Sequence, residues 1–140
     1  AGGVPSGALI EMCFSGKYTQ KEVYSKIVGK GGFNAYLGTN DMRDVMKKVN
    51  EGDAKAAEMV DAFTFQVAKD MGSMACVLKG KVDQIIVTGG IAYNTPVIEA
   101  LKERAGFIAP FTVYPGEDEL LALTQGALRV LNGEEKAMEY

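Results

Sequence analysis

The sequence predicts an α/β domain with parallel strands, and three observations carry that prediction. Beyond residue 80, short apolar runs alternate with helical stretches, the order expected of strand-helix units joined by right-handed crossovers. Residues 84–87 place Ile85, Ile86 and Val87 in succession with no polar alternation, which suits a strand covered on both faces. From Asp53 to Leu78 the apolar residues Val60, Phe63, Val67, Met71, Met74 and Leu78 recur at spacings of three and four, which predicts a long helix with one face against a sheet.

The elements follow in order. A short helix is expected from Ser6 to Phe14, and Thr19 with Glu22 three residues later forms a capping box in front of the next. The cluster Gly29-Lys30-Gly31-Gly32 then breaks the pattern and reads as a flexible connector. A phosphate-cradling P-loop requires a longer glycine-spaced loop whose lysine is followed by Ser or Thr, and here glycine follows. Phe33 to Leu37 is expected as a short strand or an ordered loop. Gly38-Thr39-Asn40-Asp41 supplies capping residues for a helix that stops at Gly52, and the long helix follows, ending at Gly80-Lys81. A strand to Thr88, a helix capped by Thr95 with Pro96 in its first turn, a strand from Phe107 to Tyr114 and a helix from Glu117 to Leu131 complete the chain, with a stop at Gly133. No internal repeat, low-complexity tract or interdomain linker interrupts this order, so residues 1–140 read as one domain.

Composition narrows the function classes. The 140 residues are 47% hydrophobic and 24% charged, the profile of an ordinary globular domain with a sizeable core. A net charge of −3, with Lys and Arg scattered among Asp and Glu, leaves no electrostatic footprint for nucleic acid or an anionic membrane. No apolar run approaches the roughly 18 residues of a membrane span, and the AGGVPSG start lacks the charged and apolar regions of a signal peptide. A cytoplasmic setting is the resulting expectation. Cys13 and Cys76 each lie in an apolar helical stretch and are expected as core residues, not a disulfide. Histidine is absent, which removes a His base, Cys-His nucleophile activation and most transition-metal sites. Any metal would be a hard ion on oxygen ligands, and magnesium held by carboxylates and phosphates fits that restriction.

The chemistry-bearing stretch is DQIIVTGGIAYN, Asp83 to Asn94, where the apolar strand ends in paired glycines and a new element begins at once. Glycine lacks a Cβ, so such a turn can take positive φ and lets a ligand approach the main chain. Ligands of open α/β sheets bind outside the carboxyl ends of strands. A tight strand-to-helix turn without any ligand explains the same residues equally well. A dinucleotide fingerprint, G-x-G-x-x-G followed about 20 positions later by an acid, is not present.

Four segments in order, MCFSGKYT, VGKGGFNAYLGTNDMRDV, VTGGIAYN and FIAPFTVYPGEDELLALTQGALRVL, resemble the butyrate kinases of the acetokinase family, and the resemblance runs from Gly2 to Glu135. The matching segments belong to the carboxyl-terminal part of such enzymes. The resemblance implies a ribonuclease H-like fold, the actin, hexokinase and heat-shock ATPase type, with a mixed sheet flanked by helices. It implies a carboxyl-terminal nucleotide-binding domain that uses ATP/ADP and Mg2+ to phosphorylate a short-chain carboxylate: butyrate and ATP give butyryl phosphate and ADP, reversibly. By the same resemblance Thr88, Gly89, Gly90 and Ile91 fall on the adenosine motif and Asn94 on its closing asparagine, while Ala92-Tyr93 stands where acetate kinases carry Gly-Glu. Asp41 and Arg43 fall on a loop lying against adenine and ribose; the residues alone read as a helix cap with an exposed arginine. Asp118 and Glu119 fall near a glutamate that lies by the metal; the residues alone read as acids favoured at a helix start by the dipole.

The family's phosphate hairpins and acyl pocket come from amino-terminal segments, so no catalytic residue is assigned to this chain and the carboxylate would be bound elsewhere. The resemblance also implies a homodimer, since acetokinases associate through this half. Two other readings accompany this one: a kinase for acetate or propionate, and a noncatalytic association module using the Met-rich helix.

Overall fold

The computed structural model describes residues 3–138. Among these residues seven α-helices and two strands follow one another: α1 (Ser6–Phe14), α2 (Gln20–Ile27), α3 (Phe33–Leu37), α4 (Met42–Asn50), α5 (Ala54–Val77), β1 (Ile85–Gly89), a 3₁₀ turn (Gly90–Tyr93), α6 (Thr95–Ala105), β2 (Phe111–Pro115) and α7 (Glu119–Leu131). The capping box before α2 forms as expected. Thr19 N donates to Glu22 Oε2 at 2.7 Å while Glu22 N donates to Thr19 Oγ1 at 3.3 Å, and the hydrogen bond from the Thr19 backbone holds the Glu22 carboxyl below its ordinary pKa.

β1 and β2 pair in parallel, Ile85 opposite Phe111 through Gly89 opposite Pro115, with α6 as the crossover. Past the end of the ladder, Gly89 and Gly116 exchange both backbone hydrogen bonds, each 3.1 Å, in an antiparallel bridge. The core sits where α4, α5 and α6 meet. Val45, Ala56, Val97 and Ala105 are fully buried there, with Ile98 and Leu101 almost so. Thr64, also fully buried, satisfies its hydroxyl by donating to Asp61 O at 2.9 Å. An ion pair from Arg104 to Asp61 links α6 to α5.

Several expectations need correction. Phe33 to Leu37 is neither strand nor loop but a five-residue helix. Its single turn is bounded by Gly32 and Gly38, and Gly38 ends it at φ 75°, a left-handed conformation that suits glycine at a helix terminus. The strand expected from Phe107 begins at Phe111, because residues 106–110 form the turn that ends α6 and Pro110 O accepts from Ile85 N at 2.8 Å. Asn94, not Thr95, caps α6, its side chain accepting from Val97 N at 3.3 Å. Glu117 lies outside α7, whose cap is Asp118.

The strand β1 is covered on one face only: Ile85 and Val87 are half-buried whereas Ile86 is 62% exposed. The helix α5 packs on α6 and α4 instead of lying flat on the sheet, leaving a groove of about 390 Å³ between Val67, Met71, Met74 and Leu78 and the edge at Ile85. Cys13 and Cys76 are exposed free thiols, not core residues; Cys13 lines a groove that α1 shares with α2.

Candidate functional site

The carboxyl end of β1 is where the chain makes its sharpest local demand. Gly89 has φ 81° and ψ −175°, a region that only glycine occupies readily, and it is buried. A Cβ at this position would lie 3.0 Å from Glu117 Oε1. Gly90 then opens the 3₁₀ turn, and a Cβ there would meet nothing within 4 Å. The two glycines therefore differ in kind: the first is required by the backbone, and the second keeps space open.

That space is a cleft of about 800 Å³ lined by Phe33, Asn40, Asp41, Met42, Arg43, Phe63, Gly90, Ile91, Tyr93 and Asn94. The loop before α4, the middle of α5 and the turn after β1 meet in it. Packing of α4 on α5, and of α5 on α6, brings Asp41 and Arg43 to Gly90, Ile91 and Asn94 across about 50 positions of sequence. Five of the residues singled out from the sequence thus line one cavity. Thr88 and Gly89 are the end of β1 leading into it and do not line it.

Asp41 and Arg43 are bound to each other. Asp41 caps α4, Oδ1 accepting from Arg43 N at 2.9 Å, and the same carboxylate takes Arg43 Nε at 3.0 Å and 3.1 Å on its two oxygens, with Nη2 closing the fork. The hydrogen bonds from Arg43 depress the Asp41 carboxyl to about 2 and raise the Arg43 guanidinium above its ordinary value. Arg43 remains 90% exposed. The carboxylate is thereby largely committed to holding the guanidinium, whose planar face stays accessible at the cleft.

Asp118 and Glu119 are not in the cleft lining. They open α7, where Asp118 Oδ1 accepts from Leu121 N at 3.3 Å. Among the described residues no cluster of three or more His, Cys, Asp or Glu side chains could enclose a metal. Two carboxylates of oxygen chemistry suit a hard cation only if a ligand's own oxygens supply most of the shell.

Three aromatic residues in the cleft were not singled out as site residues from the sequence. Phe33 and Phe63 stack as a tilted pair with centroids 5.3 Å apart, and Tyr93 stands 70% exposed at the end of the 3₁₀ turn. Phe63 belongs to the apolar stripe of α5 and is indistinguishable there from a core residue; no periodicity marks the other two.

The description "Acetokinase family" matches residues 2–113. A "Probable butyrate kinase" of Clostridium botulinum (strain Alaska E43 / Type E3) is 59% identical over 140 residues, all of this chain and 39% of that protein. "Butyrate kinase 1" of Clostridium acetobutylicum is likewise 59% identical over 140 residues, 100% of this chain and 39% of its own length. "Probable butyrate kinase 2" of Caldanaerobacter subterraneus subsp. tengcongensis is 54% identical over 139 residues, 99% of this chain and again 39% of the relative. The chain thus spans about two fifths of the length of the curated relatives it matches. Among solved structures, Porphyromonas gingivalis acetate kinase superposes with a TM-score of 0.77 at 17% identity, covering 91% of this chain and 39% of that one. At that identity the likeness establishes the fold, which is the ribonuclease H-like, actin-like ATPase type. With the family description matched over most of its length, the chain belongs to the acetokinase family.

Proposed function

We propose that this chain supplies the adenosine side of the nucleotide cleft of a butyrate kinase. The observation that carries the reading is the convergence of Asp41 and Arg43 with Gly90, Ile91 and Asn94 on one cleft of about 800 Å³. Gly90 leaves its main chain open to a ligand. The accessible guanidinium of Arg43, held by Asp41, offers a plane on which a purine stacks. Asn94 spends one side-chain acceptor on capping α6, and its amide nitrogen remains a donor toward the cleft. Thr88 and Gly89 shape the turn from beneath. Similarity to proteins named butyrate kinase supports butyrate as the acyl substrate.

In the reaction so inferred, a carboxylate oxygen of the substrate attacks the γ-phosphorus of ATP, the O–P bond of butyryl phosphate forms, and the bond to the β-γ bridging oxygen breaks to release ADP. A carboxylate nucleophile needs no general base, which accords with a chain that contains no histidine. Asp118 and Glu119 would share a Mg2+ with the nucleotide phosphates and water, the ion neutralising phosphate charge when bound. The carboxylate pocket, a homodimeric assembly through this half and a cytoplasmic setting belong to the same proposal. No helix of the described residues is long and apolar enough to cross a membrane.

Calorimetric titration of the chain with Mg-ADP tests the reading, with NAD as a control ligand. Saturable binding of ADP but not NAD is expected, abolished by Gly90→Val, which fills the cleft at a position where the backbone tolerates a side chain. Binding that survives Gly90→Val would place the nucleotide elsewhere. The chain by itself is expected to show no turnover, and butyryl phosphate formation by it would refute that part.

A further inference from the structure

Gly116, in the loop between β2 and α7, has φ 94°, and a Cβ there would lie 2.7 Å from Tyr93 Oη and 3.5 and 3.6 Å from two of its ring carbons. The tip of the Tyr93 ring therefore rests on a surface that exists only because residue 116 has no side chain. Gly116 is itself fixed by the two-way hydrogen-bonded bridge to Gly89. The ring is thus anchored at both ends, by its own 3₁₀ turn and by the loop after β2, and still stands 70% exposed along the cleft. Phe33 and Phe63 differ from it: half-buried and stacked on each other, they present less free ring to a ligand.

We propose that Tyr93 is the wall of the cleft that contacts the base, and that Gly116 is the positioning residue that seats it. The proposal rests on the nucleotide reading above and adds to it the residue that distinguishes a nucleotide from a bare polyphosphate. A flat heterocycle entering between Arg43 and the aromatic residues meets a ring whose orientation is already fixed, so little ordering is required when the base binds.

Titrations with Mg-ADP and with inorganic pyrophosphate, on the wild-type chain and on Tyr93→Ala, Tyr93→Phe, Gly116→Ala and the Tyr93→Ala/Gly116→Ala pair, decide the matter. Tyr93→Ala is expected to weaken ADP by about tenfold, within the range of base-aromatic stacking, while pyrophosphate, however weakly bound, is unchanged. Tyr93→Phe retains the ring and stays near wild type. Gly116→Ala weakens ADP by displacing the ring, and in the Tyr93→Ala background it adds nothing further. Unchanged ADP affinity in Tyr93→Ala, or an equal loss of pyrophosphate, overturns the proposal; an undiminished Gly116→Ala effect in the double variant overturns the seating role. If circular dichroism shows Gly116→Ala unfolded, the two Tyr93 variants alone decide. A wild-type chain that binds no ADP overturns both this proposal and the nucleotide reading, whereas ADP binding indifferent to every Tyr93 change overturns this one alone.

Discussion

Replacing Gly89 by alanine separates two roles that adjacent glycines share in sequence. The backbone at residue 89, φ 81° and ψ −175°, lies in a region open to glycine and strained for any residue with a Cβ, at a cost on the order of 1–3 kcal/mol. The added methyl would also meet Glu117 Oε1 at 3.0 Å. That oxygen is the far end of an exposed, flexible side chain and can swing away, so the steric part adds only a little. The expected loss is therefore about 2–3 kcal/mol, and at roughly 3–5 °C per kcal/mol for a chain of this size the midpoint of thermal unfolding falls by about 6–15 °C.

Gly90→Ala is the internal control. A Cβ there meets nothing within 4 Å, so its midpoint should move by less than about 0.5 kcal/mol, as for substitutions away from strained or packed sites. Unfolding followed by circular dichroism against temperature and denaturant, with the Gly89→Ala/Glu117→Ala double variant, completes the design. The reasoning is refuted if Gly89→Ala unfolds with Gly90→Ala, or if removing the Glu117 carboxylate restores full stability. The second result would mean that the clash, not the backbone, set the cost.

Two further outcomes are expected. Because Arg43 lowers Asp41 below an unfolded value of about 3.9, the stability carried by this pair is complete above about pH 4 and is lost as pH falls through about 2; carboxyl NMR should place the Asp41 midpoint near 2, and Arg43→Ala should return it toward the unfolded value. Leu101, 3% exposed in the helical core, should cost about 2–5 kcal/mol when replaced by alanine, whereas Leu120, 79% exposed on α7, should change denaturant unfolding by less than about 0.5 kcal/mol.

What the sequence made legible was set by length scale. The length of α5, the capping box at Thr19 and the βα order after residue 80 are signals repeated over many residues or fixed by several groups at once, and all three are present; the face α5 buries was not legible, since it is Ala56 and Thr64, not the apolar stripe, that are buried. Single-turn features were not legible. The helix at Phe33 is too short for a period to register, and Asn94 and Thr95 are both good caps, so the choice between them was decided by a 3₁₀ turn that consumes residues 90–93. The cysteines were read from apolar neighbours, but helical neighbours in sequence point around the whole axis, and both thiols are left exposed. In the cleft, Gly90 was legible from the strand-Gly-Gly turn itself and Asp41 and Arg43 through family motifs, while Tyr93 was not: its seating depends on the absence of a side chain 23 positions away, at Gly116.

The leucines of α7 have a dynamic consequence. None of its thirteen residues is buried, so almost nothing but its own backbone hydrogen bonds and the Asp118 cap holds it. An isolated helix of that length is marginal in water. Its amides should exchange with solvent far faster than those of α6, opening in a local event independent of global unfolding. Asp118 and Glu119 thus open a helix that the described residues leave without apolar cover, so the Asp118 cap should be lost and remade with each such opening.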